Sequence, residues 1–208
     1  CSSLIGIEIP EGVTEIGNSA FEECSSLIGI EIPEGVTKIE YDVFEGCSSL
    51  TDIKIPEGVT KIGADAFYEC SNLTNIEIPE GVTEIGSGAF SGCSSLTNIE
   101  IPEGVTEIGN YAFSGCSSLK AILLRENLID IGNLSIDIPI YTKPNSMAHK
   151  YAEENEQGYV LDEKEPDIKI LVDKVITNKK QTLTIPVEVK DNYEIVGVKE
   201  ETIKYAIS

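Results

Sequence analysis

The sequence predicts a repeat solenoid of α/β type, mostly β, wound as a right-handed coil with a parallel sheet. A capping helix and a small antiparallel β segment are expected after the coils. Three observations predict the solenoid. The segment C-S-S-L-I-G-I-E-I-P-E-G-V-T-E-I-G-N-S-A-F-E-E opens at Cys1 and begins again at Cys24, Cys47, Cys70 and Cys93, and in weakened form at Cys116. Aliphatic residues hold the same place in every copy. A proline followed two residues later by a glycine punctuates each of the first five. A fixed period of this length marks a stacked array, in which a single coil buries its apolar face only against its neighbours.

Within one unit, L-x-x-I-x-I (Leu4, Ile7, Ile9) alternates as a short strand with one buried face. The proline that follows (Pro10, Pro33, Pro56, Pro79, Pro102) has no N–H to give and ends the ladder. Gly12, Gly35, Gly58, Gly81 and Gly104, replaced by Asn127 in the sixth unit, suggest a turn residue with positive φ. V-T-x-I then returns Val13 and Ile16 inward as a second, shorter extended segment. The A-F pair and the cysteine complete a core of about eight inward residues per unit: Cys, Leu, Ile, Ile, Val, Ile, Ala and Phe. At roughly 1.5–3 kcal/mol per buried large side chain, each added coil contributes several kcal/mol before chain entropy is subtracted, and the terminal coils fray first.

Six cysteines would ordinarily suggest disulfides, but their spacing argues otherwise. Cys1, Cys24, Cys47, Cys70, Cys93 and Cys116 stack as one column, with neighbours about 4.8 Å apart and parallel side chains. A disulfide needs Cβ atoms about 3.8 Å apart and turned toward each other. Buried, unpaired thiols acting as small hydrophobes are therefore expected. Neither CxxC nor clustered histidine appears, so no metal site and no cofactor are expected.

The consensus C-S-S-L-T-x-I-x-I-P-E-G-V-T-x-I-G-x-x-A-F-x-x is similar to the BspA-type leucine-rich repeat of bacterial surface proteins and some protozoan ones. The resemblance covers about residues 1–160 and is strongest in the first five units. It implies a curved leucine-rich-repeat solenoid with a parallel sheet on one face. It also implies adhesion to host or matrix proteins and to neighbouring cells, at the cell surface or outside the cell, without naming binding residues.

The sixth unit departs from the pattern: Leu123 replaces a charge, Arg125 the proline, and Ser135-Ile136 the Ala-Phe pair. Ile136 to Tyr141 reads as a last strand. N-S-M-A-H-K-Y-A-E-E-N reads as a short helix, with Asn145 or Ser146 as N-cap and Asn155 near its end. Met147, Ala148, Tyr151 and Ala152 would form its apolar stripe, and His149 a solvated position. A strand over Tyr159–Leu161 follows. The solenoid with its cap is placed at 1–163, a charged proline-bearing linker at 164–167, and a partial β-sandwich-like segment at 168–208. The alternating runs of that segment resemble the opening strands of cohesin-like sandwiches. The chain starts at a repeat boundary without a cap, and so reads as a fragment or processed product.

The chain has 208 residues and a formal net charge of −21, from 36 acidic and 15 basic side chains. That excludes nucleic acid and anionic membrane surfaces, which need a basic footprint. No run of about 18 apolar residues is present to span a membrane. The outward residues of the main strand form two rows: Gly6, Gly29, Asp52, Asn75, Asn98, Ala121, and beside it Glu8, Glu31, Lys54, Glu77, Glu100, Leu123. Asp52, Lys54, Asn75, Glu77, Asn98 and Glu100 are the candidate protein-binding residues. Their polar, acidic strip suits a basic protein patch or bridging calcium, though it lacks the loop geometry of a calcium site. It equally meets the plain need of any solenoid for a soluble face. No carboxylate pair in a cleft, phosphate-cradling loop or catalytic triad is recognisable. The function expected is a non-enzymatic module binding a host matrix or cell-surface protein. The alternative is a spacer projecting the C-terminal β segment.

Overall fold

The computed structural model describes residues 1–161; the linker and the antiparallel segment expected beyond the cap lie outside the described residues. In chain order the elements are β1 (Lys38–Ile39), β2 (Lys61–Ile62), β3 (Asn75–Ile76), β4 (Glu84–Ile85), β5 (Asn98–Ile99), β6 (Glu107–Ile108), β7 (Ile122–Leu123), β8 (Asp130–Ile131), β9 (Ile140–Thr142), α1 (Met147–Glu154) and β10 (Tyr159–Leu161). Every pairing is parallel, and between coils it joins equivalent residues of successive units, such as Lys61 with Glu84 and Asn75 with Asn98.

The strands distribute differently from the sequence expectation. The five-stranded sheet, ordered β1-β2-β4-β6-β8, is built from the V-T-x-I segments. The L-x-x-I-x-I segments hold a shorter ladder: the pair β3-β5, isolated bridges through Glu8, Glu31, Lys54 and Glu77, and the sheet β10-β9-β7 at the C-terminal end. The proline explains the difference. Its carbonyl accepts the N–H of the valine three residues on (2.9–3.2 Å, Pro10 to Val13 through Pro102 to Val105), so the chain turns immediately after the first segment. A third ladder, not legible in the sequence, runs along the Ala-Phe side. There the N–H groups of Asp65, Phe67 and Glu69 donate to the carbonyls of Ser87, Ala89 and Ser91 in the next coil, each at 2.8 Å. From the second coil onward each coil is thus bonded to the next on three sides, whereas the first coil lacks the V-T-x-I ladder.

The turn glycines are also corrected. Gly12, Gly35, Gly58, Gly81, Gly104 and Asn127 do not have positive φ. In the first five coils the left-handed residues lie on the Ala-Phe side, at Ser19, Asp42, Asp65, Gly88 and Tyr111 and at Glu23, Gly46, Glu69, Gly92 and Gly115. Close approach of coils demands glycine at one of the turn positions, Gly104, where a Cβ would lie 2.4 Å from Glu80 O, and in another column: a Cβ on Gly63, Gly86, Gly109 or Gly132 would lie 2.4–2.6 Å from the backbone of the preceding coil.

The core follows the inward columns. In the fourth coil Cys70, Leu73, Ile76, Ile78, Val82, Ile85, Ala89 and Phe90 are all buried. Phe21, Phe44, Phe67, Phe90 and Phe113 stack face to face with centroids 5.3–5.7 Å apart. The first coil is looser, with Leu4, Ile9 and Phe21 half-buried and Cys1 exposed, because nothing among the described residues packs on its outer side.

At the other end α1 covers the last coil. Ser146 is the N-cap, its Oγ accepting the N–H of His149 at 3.1 Å, and Asn155 is the C-cap. Ala148, Tyr151 and Ala152 are buried, and the Tyr151 hydroxyl accepts the Leu134 N–H at 2.8 Å. Met147, at the first helical position, is exposed instead of joining that stripe. His149 is largely enclosed rather than solvated. Its Nδ1 accepts the Asn145 N–H at 3.0 Å, and its ring lies edge-on to Tyr159 at 4.9 Å. The last strand of the sequence reading begins later than expected, at Ile140.

Candidate interaction surface

The face carrying the predicted residues is produced by strand alternation. Ile53 and Ile55, Ile76 and Ile78, and Ile99 and Ile101 turn inward and are buried. Asp52, Lys54, Asn75, Glu77, Asn98 and Glu100 between and beside them are all exposed. The structure brings all six onto one face: Asn75 pairs in register with Asn98, and Lys54 bridges to Glu77. Along the next column Thr74 Oγ1 and Thr97 Oγ1 donate to the carbonyls of Thr51 and Thr74 (3.4 and 3.3 Å). Those threonines are therefore already engaged along the coil axis.

The charges are partly tied. Lys54 Nζ is 3.0 Å from Glu34 Oε1, and Arg125 reaches Glu100 at 3.4 Å and Glu103 at 3.7 Å. These partners reveal a row that the strand reading missed. The glutamate after each proline, and its counterpart in the sixth unit, forms a column at the corner where the chain turns: Glu11, Glu34, Glu57, Glu80, Glu103 and Glu126, all exposed. The signal was present in the sequence as the invariant E of P-E-G; what was absent was the knowledge that the turn sets it beside the strand face. Two acidic rows thus run together along this edge. Lys143 meets the last of these glutamates at 2.9 Å.

A second acidic group lies on the Ala-Phe side. Burial pushes the Glu45 carboxyl up, with Asp42 and Glu22 adding repulsion, and burial followed by Asp42 raises Asp65. Among the described residues, no group of three or more His, Cys, Asp or Glu side chains is placed to hold a metal ion. The cysteines are free: Cys24, Cys47, Cys70, Cys93 and Cys116 are buried and Cys1 is exposed, so the expectation of burial fails at the first coil. Burial raises the Cys47 and Cys116 thiols to about 12.

Parallel coils of one repeated unit, a continuous core of aliphatic and phenylalanine ladders, and a flat polar face define a leucine-rich-repeat solenoid. Residues 37–137 match the BspA type leucine rich repeat region in six copies. Over those residues the chain carries the repeats of that family. The structure is similar to that of the T. pallidum leucine rich repeat protein, TpLRR, at 27% identity and a TM-score of 0.58, covering 74% of this chain and 85% of that one. It is also similar to a leucine rich cell surface protein of Faecalibacterium prausnitzii at 30% identity and a TM-score of 0.55, covering 72% of this chain and half of that one (50%). The pneumococcal vaccine antigen PcpA shares the fold, at 18% identity and a TM-score of 0.57, over 77% of this chain and 42% of its own. No curated protein matches the sequence.

Proposed function

We propose that the chain is a non-enzymatic, adhesin-like module, displayed at the bacterial cell surface or secreted, that binds another protein through the exposed face of its solenoid. One observation carries this reading: Asp52, Lys54, Asn75, Glu77, Asn98 and Glu100 stand exposed on one face, held from behind by buried isoleucines and edged by a column of glutamates. Such a face is preorganised, so a partner pays little ordering entropy on the protein side. Rows of carboxylates and amides bind through charge and hydrogen bonds, and they favour a basic patch on the partner. That the F. prausnitzii relative is a cell surface protein supports the location. We assign residues 1–163 to the solenoid with its cap, 164–167 to a linker and 168–208 to a second unit.

The test is binding of the full chain to immobilised extracellular-matrix and cell-surface proteins, compared with Glu77→Lys/Glu100→Lys. Loss of attachment by about tenfold, together with weakening as salt shortens the range of charge interactions, is the expected result. Unchanged binding by the reversed variant moves the site elsewhere. It then favours the second reading, in which near-identical coils space a C-terminal binding unit away from its anchor.

A further inference from the structure

We propose that the first two coils carry an apolar anchor for a partner segment that presents an aliphatic or aromatic side chain next to Lys or Arg. The proposal rests on the reading of this face as a protein-binding surface and names the chemistry one end of it takes. Ile5 and Ile28 hold equivalent outward positions in consecutive coils and are 64% and 53% exposed. Ile28 N–H donates to Ile5 O at 3.1 Å, and Thr51 N–H donates to Ile28 O at 3.2 Å, so the column is held at one-coil spacing. Later coils fill the same column with Thr51, Thr74, Thr97 and Lys120. The ladder therefore forms equally well with polar residues, and stacking does not explain the two isoleucines. Nor is exposure at the chain end the cause, because Ile28 has a coil on either side.

The adjoining column points the same way. Gly6 and Gly29 stand where later coils carry Asp52, Asn75, Asn98 and Ala121. The backbone does not demand glycine at either position. A Cβ on Gly6 would come no nearer than 4.0 Å to Gly29 O, and one on Gly29 no nearer than 4.0 Å to Asp52 O, which is ordinary contact. Neither residue has positive φ. The pair leaves a bare stretch of backbone beside two exposed aliphatic side chains, so a partner side chain can approach closely and be covered on one flank by isoleucine.

Charge complementarity identifies the occupant. Glu8 and Glu31 pair across the same two coils in the next column, and Glu11 and Glu34 line the corner behind them. Glu34 is taken by Lys54, whereas Glu8, Glu11 and Glu31 form no ion pair among the described residues. An apolar centre supplies the binding energy while the surrounding charges select and steer, and here every unpaired rim charge is negative. A segment with an apolar residue flanked by Lys or Arg satisfies both.

The test uses the full chain and two synthetic peptides of equal length and positive charge, one alternating Lys with Ile and the other Lys with Ser, with affinity read by fluorescence polarisation. The Lys/Ile peptide is expected to bind at least about tenfold tighter, since partial burial of two isoleucines is worth more than the 1.4 kcal/mol that tenfold represents. Ile5→Thr with Ile28→Thr installs the residue later coils already carry, so the fold is retained, and it should abolish the difference between the peptides. Glu77→Lys/Glu100→Lys should lower binding of both peptides without removing the preference. Equal binding of the two peptides, or a preference that survives the threonine substitutions, overturns the anchor. If charge reversal still weakens both peptides in that case, the reading of the face survives. Binding of neither peptide overturns both.

Discussion

The carbonyl oxygen of Phe67 accepts two hydrogen bonds, from the Cys70 N–H at 3.1 Å and from the Cys93 thiol at 3.2 Å. The first closes a turn within the coil, and the second reaches in from the next one. Phe44 and Phe90 repeat the arrangement with Cys70 and Cys116. Cysteine suits the column because it is small and apolar, yet its S–H satisfies the second lone pair of a carbonyl buried among ladders. This makes the thiols structural. A thiol reagent applied to the native chain should label Cys1 rapidly and leave the buried cysteines intact, with six reacting after denaturation. An intact mass showing lost hydrogens would contradict it.

The same thiols make stability depend on alkaline pH. Burial raises Cys47 and Cys116 to about 12 in the folded chain, against about 8.5 for an unfolded thiol. The folded state therefore holds protons that the unfolded chain releases. Its advantage is complete below about pH 8.5 and is lost progressively as pH rises toward 12. The Tm should fall across that window, and Cys116→Ala should flatten the fall. An unchanged slope would mean that lysine or tyrosine titration controls it.

Acid should act in the opposite sense on the second and third coils. Glu45 and Asp65 are raised in the folded state, by burial first and then by neighbouring carboxylates. A raised carboxylate favours the folded chain as it takes up a proton, so stability increases as pH falls from neutral through the folded values. Asp65→Asn should raise the Tm at pH 7 and reduce the gain on acidification. A Tm that drops steadily from pH 7 to pH 5 would refute this.

Phenylalanine stacking predicts a graded cost of truncation. Phe67 is fully buried between rings centred 5.4 and 5.3 Å away, so Phe67→Ala should cost about 3–5 kcal/mol in urea unfolding. Phe21 is half-buried in the first coil, and Phe21→Ala should cost markedly less. Equal losses would mean that the first coil is as tightly packed as the third.

Two glycines of one column should respond differently to alanine. A Cβ on Gly86 would fall 2.5 Å from Ala64 N, forcing two coils apart, whereas Gly17 has nothing within 4 Å. Gly86→Ala should destabilise by about 1–3 kcal/mol, as overpacking does. Gly17→Ala should be neutral or stabilising by up to about 1 kcal/mol.

Removing the Tyr151 hydroxyl should open the C-terminal end. Tyr151→Phe leaves the buried Leu134 N–H without its 2.8 Å acceptor, at a cost of about 1–3 kcal/mol. Hydrogen exchange should quicken first at Leu134 and in the cap helix. Uniform loss of protection along the chain would instead show the solenoid unfolding as one unit.

The repeat period, the inward columns, the short helix after the coils and the Tyr159–Leu161 strand were determined by sequence alone, because each depends on residues close together or on one position copied every turn; the choice of Ser146 over Asn145 as the helix N-cap was not. So was the face holding Asp52, Lys54, Asn75, Glu77, Asn98 and Glu100, since strand alternation settles which side chains leave the core. Tertiary structure decided what depends on how closely one coil meets the next. It placed the five-stranded sheet on V-T-x-I and moved positive φ from the P-E-G turn to residues such as Asp65 and Tyr111. It also excluded Cβ atoms at Gly63 and Gly86, enclosed His149, and set the corner glutamates beside the strand face. A one-dimensional period shows which residues recur; the distance between coils, fixed by three ladders of backbone hydrogen bonds, determines what each recurrence touches.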